Sequence, residues 1–188
     1  MSDKFAKLLI IPADNRPVSY DLPFFTAKLI KSAEVVLPPK EYLSSLDNEG
    51  NYAELFNWLE NTLKAHQFDM LVVALDTIAY GGLIPSRRTN LKYDDIKNRI
   101  SAFCDLINKF ENKPKVYAFS SIMRISDSYI NEEEKSYWNQ YGKDIFEFSY
   151  LSHKLLADYD ENNEKKVTEL AKEIPFEYRN LINRLLQH

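Results

Sequence analysis

One cysteine, Cys104, stands in 188 residues, so no disulfide framework can form within the chain. The apolar spacing around it puts it on a helix face, where a buried core thiol is expected rather than a catalytic one. The three histidines, His66, His153 and His188, lie far apart, and without a second cysteine there is no His/Cys zinc spacing. No segment approaches the roughly 18 to 20 apolar residues that a membrane-crossing helix needs. The start, Met1 to Lys7, leads into only a few apolar residues before Pro12 and Asp14, unlike a signal peptide, so a cytoplasmic protein is expected. A dominant charge is also lacking. Lys and Arg number 24 against 28 Asp and Glu, a net charge of −4. The basic residues are dispersed, which argues against a nucleic-acid surface. There is no internal repeat and no low-complexity linker.

What is present is enough apolar material for a real core, 45% hydrophobic and 13% aromatic, in a length that suits one large domain. Short apolar runs alternate with stretches of helical spacing, the pattern of strands joined by crossover helices. Leu8–Ile11, Val35–Leu37, Met70–Leu75 and Val116–Phe119 read as four strands. Helices are expected over Leu22–Lys31 with Asp21 as cap, from Tyr52 through the Leu55, Leu59, Leu63 stripe to His66, and from Asp94 or Asp95 through Ile96, Ile100, Phe103, Ile107 and Phe110. A long helical region is expected from near Asn131, bending at Gly142, with Glu132-Glu133-Glu134 as its solvated start. Two short helices separated at Pro175 should follow it. The expected fold is therefore α/β, an open parallel sheet of about four strands with crossover helices, Rossmann-like. Residues 1–128 would form the βα core and 129–188 a helical extension of a single domain. Half of a (β/α)8 barrel is the alternative.

In a parallel sheet with right-handed crossovers, every strand's C-terminal end lies on one edge, and ligands bind there. Asp14 and Arg16 leave the first strand. Asp76, Tyr80, Gly81, Gly82, Ser86 and Arg87 leave the third, and Ser120 and Arg124 the fourth. Asp14 and Asp76 are the candidate catalytic carboxylates, able to divide acid and base roles or to hold a divalent cation. The other eight are candidate substrate-binding residues. Asp14 reads equally well as an Asx turn, and Arg16 as an ion-pair partner of Asp76. Gly81-Gly82 reads as a phosphate loop or simply as a turn needing positive φ. It lacks both the Gly-x-Gly-x-x-Gly spacing and the lysine of a P-loop, and Ser120-Ser121 fits no Gly-x-Ser-x-Gly elbow. Arginine guanidiniums suit carboxylate or phosphate oxygens.

Asp14-Asn15-Arg16-Pro17, Leu37-Pro38-Pro39, Asp76 through Tyr80-Gly81-Gly82-Leu83 to Ser86-Arg87, and Met123-Arg124 together resemble a bacterial family catalogued as domain of unknown function 4127. Trp138-Asn139-Gln140-Tyr141-Gly142 and Tyr178-Arg179-Asn180 are similar to it as well. Asn15 departs from the second acidic residue of the first motif. The resemblance implies that this chain matches the N-terminal part of a longer architecture. It also implies a hydrolase-like enzyme for a small polar or anionic, sugar-like molecule. A non-catalytic binding module and an inactive truncated remnant are the other two readings. The remnant would associate with itself through an incomplete sheet edge or an exposed apolar face.

Overall fold

A computed structural model of the chain describes residues 6–29, 33–123, 125–176 and 178. Strand β1 (Ala6–Ile11) ends at Pro12, which has no N–H to continue a ladder. Helix α1 (Asp21–Lys28) follows a turn over residues 14–20. Asp21 is its first residue rather than its cap, and its carboxylate pairs with Lys40 Nζ at 2.8 Å. Strand β2 (Ala33–Val36) stops before Leu37-Pro38-Pro39, and helix α2 (Tyr52–Ala65) is capped by Asn51, whose side chain accepts the Glu54 N–H at 3.2 Å. His66 is the residue that closes this helix and stays exposed.

Strand β3 (Met70–Ala74) runs straight into helix α3 (Leu75–Tyr80), and helix α4 (Leu83–Arg88) follows after the Gly81-Gly82 turn. Helix α5 (Tyr93–Asn108) starts one residue before the expected Asp94. The Asp95 carboxylate accepts the Lys92 N–H at 3.1 Å there, satisfying a donor at the helix start. Strand β4 (Lys115–Phe119) completes the set.

The four strands are all parallel, in the order β2-β1-β3-β4. Half of a (β/α)8 barrel would place consecutive strands side by side, so that alternative is overturned, and the sheet is the open, doubly wound kind. The register sets Leu9 beside Leu71 and Ile11 beside Val73, with all four side chains on one face. Leu55, Leu59 and Leu63 of α2 and Phe103, Leu106 and Ile107 of α5 bury them there. Right-handed crossovers account for both helices sharing that face, since β2 to β3 and β3 to β4 step in the same direction. Cys104 lies on the outward side of α5 and is exposed, so the expected core thiol is a correction: Phe103, Leu106 and Ile107 take the buried face instead.

The chain divides into two compact units, 1–122 and 123–188. In the second, helix α6 (Trp138–Ala157) starts seven residues later than expected, because residues 131–137 form turns and include the Glu132-Glu133-Glu134 run. Gly142 does not interrupt this helix. It makes room, since a Cβ there would lie 2.5 Å from both Ser128 O and the Trp138 indole. Helix α7 (Glu161–Glu173) begins in the segment expected to be solvated, capped by Asp160, whose carboxylate accepts the Asn163 N–H at 2.9 Å. Ile145, Phe148, Leu151, Leu170 and Ile174 join these two helices in a separate core. The expected helix around Leu181, Ile182 and Leu185 lies outside the described residues.

Candidate functional site

The strand order reverses between β1 and β3, and the crevice outside the carboxyl ends of two such strands is the ligand position of open α/β sheets. Asp14 leaves β1 and is 0% exposed. Its Oδ1 accepts the Arg16 backbone N–H at 3.1 Å, and its Oδ2 accepts Arg16 Nε at 2.8 Å with the Arg16 terminal nitrogen at 2.6 Å. The Asx turn and an ion pair therefore occur together, and the partner of Arg16 is Asp14 rather than Asp76. Arg16 keeps 28% of its side chain exposed.

Asp76 leaves β3 in the first turn of α3, 2% exposed. Its Oδ2 accepts the Ser121 N–H at 2.9 Å and its Oδ1 the Ser120 hydroxyl at 3.3 Å, so the end of β4 is tied to the end of β3. Thr77 Oγ1 donates to Pro12 O at 2.6 Å, and the Leu83 N–H to Ala13 O at 3.0 Å. These two bonds bind the loop after β1 to the segment after β3. Asp14 and Asp76 thus lie in neighbouring, hydrogen-bonded segments.

Gly81 (φ 84°) and Gly82 (φ 145°) adopt backbone conformations that favour glycine. Their N–H groups donate to Thr77 O and Asp76 O, both at 3.1 Å, and so close the end of α3. Here the turn reading prevails over the phosphate loop, because both amides already have acceptors. Gly82 also admits the loop after β2: a Cβ on it would lie 1.7 Å from Ser44 Oγ. The Asn15 N–H donates to Ser44 O at 2.9 Å and the Gly50 N–H to Gly81 O at 3.0 Å, fastening that loop to both of its neighbours.

Ser86 Oγ donates to Leu83 O at 2.6 Å within α4, and Tyr80 and Arg87 are half-buried nearby in the chain. Arg124 lies outside the described residues. Tyr20 Oη donates to Pro38 O at 2.8 Å, and Lys40 Nζ stands 4.7 Å from its ring centre. Burial raises the Tyr20 phenol above its ordinary 10.0, against the pull of Lys40, so it holds the proton that it donates. No three His, Cys, Asp or Glu side chains are grouped as metal ligands among the described residues. With Arg16 on Asp14, the first motif is built for an ion pair. Cavities of about 370, 530 and 310 Å3 lie elsewhere, the first of them beside the N-terminal ends of β3 and β4 at Leu63–Phe68 and Pro114.

Ser44, Thr77 and Ser121 were not foreseen from the sequence. Ser44 belongs to no motif, and its place follows only from β2 lying next to β1. Thr77 and Ser121 directly follow two candidates, and that adjacency was their only signal.

The fold and this edge define an open, doubly wound α/β protein with polar loops gathered at the point of strand reversal. The chain belongs to the family described as protein of unknown function (DUF4127), whose model matches residues 8–185. No curated protein and no solved structure is significantly similar to it.

Proposed function

We propose that the chain is a cytoplasmic, hydrolase-like enzyme acting on a small polar or anionic, sugar-like substrate at the C-terminal edge of the sheet. The observation that carries this reading is the pair of carboxylates, 0% and 2% exposed, at the ends of adjacent strands where the strand order reverses. Buried carboxylates are costly unless hydrogen-bonded, and a fold that places two of them at the point of strand reversal has a use for their chemistry. Asp76 is the carboxylate for proton transfer. Among the described residues its Oδ1 holds only the 3.3 Å contact with the Ser120 hydroxyl, which a substrate hydroxyl can displace.

The test is turnover on a panel of phosphosugars, glycosides and esters, repeated with Asp76→Asn. A fall in kcat of about 100-fold or more, with the melting temperature preserved, is the expected result. Absence of turnover across the panel, or an unchanged rate in the variant, would overturn it.

A non-catalytic binding module is the second reading, favoured by the hydrogen bonds already present on both carboxylates. It requires ligand binding that survives both Asp14→Asn and Asp76→Asn, with no turnover of anything that binds.

A further inference from the structure

We propose that Arg16 is the oxyanion-binding group of the strand-reversal site and that Asp14 is its positioning residue, so that the ligand carries a phosphate or carboxylate. This deepens the proposed function and rests on its choice of site. It also divides the labour between two aspartates that the sequence alone leaves equivalent.

A guanidinium has five N–H donors in a fixed plane. Nε and one terminal nitrogen of Arg16 bind Asp14 Oδ2 at 2.8 and 2.6 Å. The backbone N–H of the same residue holds Asp14 Oδ1 at 3.1 Å. Three bonds from one arginine therefore engage both oxygens of a carboxylate that is 0% exposed. This leaves Asp14 no open face to offer a substrate or a cation, and little rotational freedom to the Arg16 plane.

The other terminal nitrogen of Arg16 and the remaining hydrogen of the bound one have no acceptor among the described residues. These donors are not enclosed, since the side chain stays 28% exposed. They form the two-pronged edge that matches a carboxylate or a phosphate. The loop around them is held in place. Pro12 and Pro17 flank it, the Ser19 and Tyr20 N–H groups both donate to Arg16 O, and the Asn15 N–H donates to Ser44 O.

A surface ion pair needs none of this, because exposed pairs hold two mobile side chains for little gain. Burying one partner completely while leaving the outer edge of the other in solvent is the arrangement of a pre-oriented donor. Asp14 neutralises part of the guanidinium charge, so recognition depends on hydrogen-bond geometry more than on long-range attraction.

Two variants test this, read by thermal shift and calorimetry with inorganic phosphate and, separately, acetate, against chloride at matched ionic strength. In Asp14→Asn/Arg16→Gln both charges leave together, which spares the fold an unpaired buried ion. Arg16→Lys keeps the charge but not the fork. The parent should melt higher in phosphate or acetate than in chloride. Both variants should lose affinity for the stabilising anion by about tenfold or more, as the loss of a charged hydrogen bond implies. Stabilisation by phosphate alone would mark a phosphorylated ligand, and by acetate alone a carboxylated one.

Equal stabilisation of parent and variants overturns the proposal, as does an absence of any anion effect on the parent. Anion binding that depends on Arg16 in a protein without turnover would uphold this inference while the enzyme reading fails. Turnover that is indifferent to both variants would sink the inference alone.

Discussion

At the scale of single residues, burial without a partner and space without a side chain make the sharpest predictions. Arg16→Ala would strand the Asp14 carboxylate, and losing one member of a buried pair costs about 3–5 kcal/mol. Urea unfolding should read a loss in that range, largely recovered by Asp14→Asn on the same background. A loss below about 1 kcal/mol would mean that water reaches Asp14 after all. Gly82→Ala combines a φ of 145° with a Cβ 1.7 Å from Ser44 Oγ, so a loss of about 2–4 kcal/mol is expected. Adding Ser44→Gly should return only part of it, since the backbone strain remains. Ser44 Oγ is buried with no hydrogen-bond partner among the described residues, so Ser44→Ala alone should be neutral or stabilising.

Legibility at this scale was uneven for a physical reason. Asp14, Arg16 and Asp76 could be proposed because charge in short segments after apolar runs is conspicuous. The Asp14–Arg16 pairing could not, because an i,i+2 bond depends on loop dihedrals that no periodicity encodes. Gly81-Gly82 announced a turn but not the direction of its amides.

At the scale of elements, helix α2 was the easiest to read. Its stripe of Leu55, Leu59 and Leu63 is buried as the three-to-four spacing dictates. Leu59 is 0% exposed, and Leu59→Ala should cost about 2–5 kcal/mol in a denaturant melt, whereas Asn51→Ala, which removes the cap, should cost about 1 kcal/mol. Near-equal losses for the two would contradict the account of what holds this helix. The start of α6 is not legible in the sequence because acidic residues suit a helix N-terminus and a turn alike, and 131–137 form turns. The apolar run overshoots the end of β3 by one residue, since Leu75 continues it while already belonging to α3.

At the scale of the whole molecule, the fold class was legible because alternation of apolar runs and helical stripes is a global signal. Strand order was not, because the pattern of runs is the same for an open sheet and a half barrel. The exposed edge belongs to this scale too. All five residues of β4 are exposed, Tyr117 and Phe119 by 44% and 46%, on an edge guarded by a single Lys115. Such an edge invites pairing with a second copy. Sedimentation should therefore show association rising with concentration and weakened by Tyr117→Lys. A strictly monomeric parent would refute this.

Titration adds a global prediction. Burial is the leading cause that raises the phenols of Tyr20, Tyr52 and Tyr137 above 10.0. Each raised phenol supports the fold while both states stay protonated. That contribution is lost as pH climbs past the unfolded value and through the higher folded one. Melting temperature should thus fall above pH 10, less steeply in Tyr52→Phe, and a flat profile across that range would contradict the burial of these rings.

The proposed function needs the loops after β1 and β3 to form one ligand site. Its most direct test is a backbone amide NMR titration with inorganic phosphate. Saturable shifts gathered at Arg16, Ser44, Gly82, Ser86 and Ser121 are the expected result. Shifts confined to the far edge, around His66 and Asn112, or none at all, would contradict it.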